Sequence, residues 1–134
     1  MNLIIAIGKE GEIAFNNRRV SRDEHLLRDV FESVDGDVYI KPRSAKMFAS
    51  FKNVKIVENA NECPSDAWLF IEDEDALTLT EKAEKIIIYN FNRIYPYDVR
   101  LNTDSLSGKF RVVSSMSFLG HSHEKITKTI YEKE

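Results

Sequence analysis

The chain predicts an α/β domain of three layers. A central, mostly parallel mixed sheet is flanked by helices and closed by a C-terminal antiparallel hairpin. Three observations carry that expectation. Leu3–Ile7, Ala67–Ile71 and Ile86–Phe91 are continuous apolar runs, which suit strands covered on both faces. Segments with apolar spacings of three and four lie between such runs, and this alternation favours a parallel sheet with helices on its faces. Near the end, Phe110–Phe118 and Ile126–Glu132 are rich in β-branched residues and flank a polar turn, Leu119–Glu124.

The elements follow in order. Leu3–Ile7 is a central strand ending at Gly8. Lys9–Arg19 reads as a polar loop interrupted by Ile13-Ala14-Phe15. Ser21 is the expected N-cap of the next helix, with Glu24 completing a capping box. That helix runs to about Val34, with Leu26, Leu27, Val30, Phe31 and Val34 on one face, and Asp35-Gly36-Asp37 stops it. Val38-Tyr39-Ile40 is a short strand. Pro42 and Arg43-Ser44 lead into a short helix with Met47, Phe48 and Phe51 inward. Asn53–Val57 is a strand and Asn59–Asp66 a loop. The Ala67–Ile71 strand runs into a helix from about Asp73 to Lys82, followed by the Ile86–Phe91 strand. Arg93–Leu106 is irregular. In the closing hairpin, Ile126–Tyr131 alternates as a sheet edge protected by its Lys and Thr side chains.

Bulk properties narrow the function classes. The 134 residues are 43% hydrophobic, which fits one domain, 1–134, with its own core. The net charge of −3 and the absence of a long basic run argue against a nucleic-acid surface. Cys63 is the single cysteine, so there is no disulfide framework, and a reducing, cytoplasmic compartment is expected. The apolar start, Met1–Gly8, is too short for a signal peptide or a membrane span, so no membrane partner is expected. Five glycines and no Gly-rich motif leave little phosphate-cradling capacity.

The most informative stretch is Trp68–Asp75, Trp-Leu-Phe-Ile-Glu-Asp-Glu-Asp. The carboxyl end of a central strand is where open α/β sheets dock ligands, and a phosphate there needs bare N–H groups and a helix N-terminus. Glu72, Asp73, Glu74 and Asp75 stand at that junction instead. They suit the helix dipole but oppose an anion. Like charges about 5 Å apart cost on the order of one to several kcal/mol, depending on the local dielectric.

The element order, together with particular residues, resembles the dihydrofolate reductase family over most of the chain. The family opens with a strand, an Ala and a loop Ile-Gly-x-x-Asn-x-Leu-Pro-Trp. Here Ala6 is followed at the right distance by Ile13, Ala14 and Asn17. The family's central strand ends Ile-Gly-Gly-Gly, enters a helix and returns as Ala-x-x-Leu-Tyr-Leu-Thr-x-Ile. Here Ile71-Glu72-Asp73-Glu74 is followed by a helix and Ala83–Phe91. Asp98 matches the Asp of a later Gly-Asp-Thr-x-Phe-Pro, and the closing hairpin matches the last two strands. The resemblance implies a dihydrofolate reductase-like fold.

The departures fall on the chemistry that the resemblance would imply. Such a reductase needs a carboxyl group in its pterin pocket, on the helix after the first loop. Read without a gap, that position is Leu26; Asp23 or Glu24 serves only if the loop is shortened, and both also suit a helix first turn. Arg19-Val20-Ser21 replaces the family's Leu-Pro-Trp. The phosphate-binding Gly-Arg-x-Thr aligns with Pro42-Arg43-Ser44-Ala45, where Pro42 removes an N–H. The 2′-phosphate grip falls on Glu58-Asn59. The segment before Trp68 is too short for the strand and helix that enclose the adenosine. The Gly-Gly pair beside the pyrophosphate is Glu72-Asp73.

Other constellations are weaker. His121-Ser122-His123 reads as an exposed turn rather than a metal pair, His25 as solvent-facing, Cys63 as unactivated and Ser114-Ser115 as strand hydroxyls. Tyr89, Phe91, Tyr95 and Tyr97 form an aromatic cluster at the sheet end. The expectation is therefore a catalytically inactive protein of this fold, without cofactor or metal. It acts by binding a protein partner, one with a basic surface, or a non-nucleotide small ligand, through Glu72, Asp73, Glu74, Asp75 and Tyr89. Glycine at positions 72 and 73 is expected to leave the fold largely intact. The alternative is a divergent NADPH-dependent reductase of dihydrofolate or a related pterin, with Asp23 or Glu24 as acid and Arg43 and Ser44 on the cofactor.

Overall fold

The computed structural model describes all of Met1–Glu134. Its centre is a seven-stranded sheet in the order β5-β4-β6-β1-β7-β10-β9, built from β1 (Asn2–Ile7), β4 (Val38–Ile40), β5 (Val54–Ile56), β6 (Trp68–Phe70), β7 (Lys85–Asn90), β9 (Phe110–Phe118) and β10 (Ile126–Lys133). Strands β5, β4, β6, β1 and β7 run parallel, and β10 is antiparallel to both β7 and β9. The expected mixed sheet with a C-terminal hairpin is present.

The apolar strands lack alternation because both faces are covered. Leu3, Ile5 and Ile7 of β1 pack with Leu69, Ile86, Ile88, Leu101 and Leu106 on one side. Ile4 packs with Phe70, Ile87 and Tyr89 on the other, under Leu26, Leu27 and Val30 of α1 (Glu24–Ser33). The two layers of cover are unequal. α1 spans ten residues, whereas α2 (Asp75–Leu79) spans five, ending well before the expected Lys82. Pro42–Ser44 forms a single 3₁₀ turn followed by further turns rather than a helix, although Met47 and Phe48 are buried as expected. Ala60–Glu62 and Thr103–Leu106 are also short 3₁₀ segments.

Two further differences concern strands. The segment read as a loop contains β2 (Glu12–Phe15) and β3 (Arg18–Arg19), which pair with β8 (Val99–Arg100) in a second, three-stranded sheet. Asn16 and Asn17, at φ 51° and 61°, make the two-residue turn between β2 and β3, and left-handed residues at both positions suit a hairpin. β10 is an interior strand, and β9 is the edge.

Lys128 therefore points into the protein instead of guarding an edge. Its ammonium pairs with Asp29 of α1 at 3.0 Å and donates to the Ser33 hydroxyl. Tyr89 donates to the same Asp29 carboxylate at 2.7 Å. Tyr89 is fully buried, which removes it from any partner surface. Burial first, and then the Asp29 carboxylate, raise its hydroxyl well above the usual phenol range, so it remains a donor. This polar node fastens α1 to β7 and β10. Lys128→Met, which keeps the aliphatic stem but removes the ammonium, is expected to cost about 1–2 kcal/mol. Urea unfolding checks this, and unchanged stability would mean that desolvation of Lys128 cancels the pair.

Candidate functional site

The acidic junction after β6 is neutralised from within the chain. Glu72, with its side chain only 4% exposed, accepts from Arg19 of β3 in bidentate fashion, with Nε at 3.0 and 3.1 Å and a terminal nitrogen at 2.7 Å. Arg43 approaches Glu72 at 3.9 Å and Asp73 at 3.8 Å, and donates to the Asn17 carbonyl at 2.9 Å. Lys41 pairs with Asp73 at 3.1 Å and with Asp75. Burial alone would lower the Lys41 ammonium, but its hydrogen bonds to Asp75 and Asp73 outweigh that and raise it. Asp73 also accepts from the Asp75 N–H at 3.0 Å, closing a local turn just before α2, whose N-cap position is Glu74. Glu74 alone among the four is exposed and without a cation partner. The sequence-based picture of a four-carboxylate rim is thus corrected: Glu72 is interior and anchors the β2–β3 hairpin to the sheet.

Residues that would face a dinucleotide do not fit one. Glu72 and Arg19 fill the place of the close-approach glycines with a buried ion pair. Arg43 is turned onto the first hairpin and the acids, Ser44 is buried, and Pro42 offers no N–H.

The helix start departs from expectation. Asp23, rather than Ser21, is the N-cap of α1. Its Oδ1 accepts from the N–H groups of His25 at 2.9 Å and Leu26 at 3.3 Å. The same oxygen accepts from the His121 N–H at 3.0 Å. Oδ2 accepts from the Ser122 N–H at 2.9 Å and from His123 Nδ1 at 2.8 Å. His123, expected in an exposed turn, is buried and stacks on Phe91 with ring centroids 4.6 Å apart. Its Nε2 faces the Ser21 hydroxyl at 2.9 Å and the Tyr95 hydroxyl at 3.2 Å. Gly120 permits the closeness, because a Cβ there would lie 2.7 Å from Asp23 Oδ2.

Burial works to raise the Asp23 carboxyl, but the His121 N–H, the His123 side chain and the Ser122 and Leu26 N–H groups together hold it well below the ordinary carboxylate range. A carboxylate held ionised, with donors on both oxygens, is poorly suited to deliver a proton. The space beside it, walled by Ala6, Ser21, Leu26, Leu27, Met47, Phe70 and Phe91, amounts to about 10 Å³. That is on the scale of a single water molecule. Glu24 lies outside this space and pairs with Arg22 at 3.4 Å.

Larger openings lie on the other side of the first hairpin. One, of about 510 Å³, is lined by Asn17, Arg43, Asp73, Glu74, Asp75 and Asp98 among others. A second, of about 430 Å³, is lined by Asn17, Arg18, Arg19 and Arg43. Both are polar. No cluster of three or more His, Cys, Asp or Glu residues is arranged for a metal. His25 packs edge-on against His121 and approaches the Leu119 carbonyl at 3.1 Å. Cys63 is buried, and burial raises its thiol. Ser115 pairs with Thr129 at 3.3 Å as a strand hydroxyl.

Sequence reasoning missed the Ser21–His123–Asp23 line, whose central histidine lies 102 and 100 residues from its two partners. It also missed Glu12, buried between the Tyr95 N–H at 2.8 Å and a second oxygen without a partner. The one available signal was Gly120 before His121, a close-approach glycine inside a hairpin turn.

Two outcomes follow for the site. Glu72→Ala leaves Arg19 unpaired at a partly exposed position and is expected to cost about 2 kcal/mol in urea unfolding while leaving the fold intact. For Asp23, the lowered folded value means its stabilisation is present above the unfolded carboxyl value of about 3.9 and drains away as pH falls below it. The stability gap between wild type and Asp23→Asn is therefore expected to be large at pH 7 and to shrink toward pH 3. A constant gap across that range would contradict the assignment.

No protein-family model and no curated protein sequence matches the chain. Comparison of folds does find relatives. Dihydrofolate reductase from Enterococcus faecalis, solved in complex with NADP(H) and RAB-propyl, superposes with a TM-score of 0.69 at 8% sequence identity, covering 99% of this chain and 95% of that one. At that identity the match speaks to architecture: this chain has a dihydrofolate reductase-like fold.

Proposed function

We propose that the protein is not a reductase and acts by binding, either a protein partner or a non-nucleotide small ligand. The observation that carries this reading is the closed space beside Asp23. About 10 Å³ is available where ligand pockets ordinarily offer several hundred. The ion pair of Glu72 with Arg19, standing where a pyrophosphate would need bare backbone, supports it independently.

The open polar clefts around Arg43 and Asn17 are the natural place for a small ligand. Exposed Glu74 and Asp98 at one rim favour a partner with basic groups there, and half-exposed Phe15 and Tyr97 add aromatic surface of the kind interfaces use. The competing reading, an NADPH-dependent reductase of dihydrofolate or a related pterin, has the cleft-lining Arg43 in its favour.

Calorimetry of NADPH with and without dihydrofolate separates the two. No detectable binding at millimolar cofactor is expected. Micromolar or tighter binding would overturn the binding-protein reading and restore the reductase.

A further inference from the structure

We propose that Ser21 is a reactive nucleophile, with His123 as its general base and Asp23 as the residue that positions the imidazole, and that this line acts on esters of short acyl groups. The inference does not depend on the binding role. It rests on a juxtaposition that hydride chemistry does not use: Ser21 Oγ lies 2.9 Å from His123 Nε2, and His123 Nδ1 lies 2.8 Å from Asp23 Oδ2.

The direction of each hydrogen bond follows from the partners. Asp23 is ionised and only accepts, so Nδ1 carries the proton and donates to it. In the neutral ring, Nε2 then offers one lone pair, which accepts from the Ser21 hydroxyl at 2.9 Å, the Tyr95 hydroxyl at 3.2 Å being the longer contact. That is the tautomer a general base needs. The ring has little freedom to turn, being stacked on Phe91 and buried. Ser21 differs from its two buried partners in being partly exposed, and it walls the small space beside Asp23.

The chemistry balances without a cofactor. Ser21 Oγ attacks the acyl carbon while its proton passes to His123 Nε2. The alkoxide departs and takes that proton from His123, leaving an acylated Ser21. Water, deprotonated by His123, then attacks the acyl carbon and releases the acid, and the proton returns to Ser21. The N–H groups of Ser21 and Arg22 make no hydrogen bond within the chain, and the proposal assigns the negative oxygen to them. The adjoining space of about 10 Å³, with apolar walls from Leu26, Met47, Phe70 and Phe91, admits little beyond a methyl group. It selects acetyl over longer acyl chains and leaves the alcohol in solvent.

Full-length protein is treated with a fluorophosphonate probe and, separately, with p-nitrophenyl acetate and butyrate. Fluorophosphonate is expected to modify the peptide carrying Ser21, with loss of fluoride. Ser21→Ala is expected to abolish both modification and acetate hydrolysis while keeping its circular dichroism and thermal midpoint. His123→Gln is expected to slow both about 100-fold or more, whereas Ser115→Ala, which removes a strand hydroxyl paired with Thr129 away from the site, labels at the wild-type rate. Butyrate is expected to react about tenfold more slowly than acetate. Nitrogen chemical shifts of neutral His123 are expected to report the proton on Nδ1. Absence of labelling, labelling at Tyr95, equal hydrolysis by wild type and Ser21→Ala, or a proton on Nε2 each overturns the proposal. If His123→Gln fails to fold, the Ser21→Ala comparison decides.

Discussion

Asp23 takes N–H groups from two places far apart in the chain, the first turn of α1 and the turn of the closing hairpin at His121 and Ser122. Backbone donors at a helix start are otherwise left to solvent, and a hairpin turn of this kind would otherwise be free to swing. One ionised side chain satisfies both sets. It thereby fixes the distance between α1 and the β9–β10 turn, seats His123 over Phe91, and closes the space that Met47, Phe70 and Leu27 wall from the other side. The cost is an anion without side-chain exposure, offset by five hydrogen bonds from backbone N–H groups and the imidazole.

A second constraint runs along the opposite rim. The carboxyl ends of β4 and β6 carry Lys41, Glu72 and Asp73, and the β2–β3 hairpin folds over them with Arg19 while Arg43 reaches across to Asn17. In an open α/β sheet this crevice is where a ligand would dock. Here the β2–β3 hairpin supplies Arg19, the segment after β4 supplies Lys41 and Arg43, and the chain's own carboxylates occupy these cations. The fold is retained and the crevice is divided. One compartment beside Asp23 is nearly filled, and one beside Arg43 is open and polar.

Much of the architecture was legible from residues. The uninterrupted apolar runs of β1, β6 and β7 announced strands buried on both faces, and β-branched residues announced the hairpin. Errors arose where local signals competed. Ser21 and Glu24 form a good capping box on paper, yet Asp23 wins because its carboxylate also captures the hairpin turn. The helix expected to run to about Lys82 stops at Leu79, where Thr78 and Thr80, β-branched and weak in helices, flank its end. Lys128 looked like an edge guard because strand order is invisible to periodicity, and only the pairing of β10 between β7 and β9 sends its side chain toward Asp29.

By itself the sequence determined the class of fold and the order of its main elements, and it placed carboxylates rather than glycines after β6. These depend on patterns local in the chain: periodicity, capping residues and the presence or absence of glycine. Tertiary structure alone decided the partners. Arg19 meets Glu72 across 53 residues, and Ser21 meets His123 across 102. Such pairs are set by strand order and by how the hairpin packs on α1, and a single sequence carries no local trace of either.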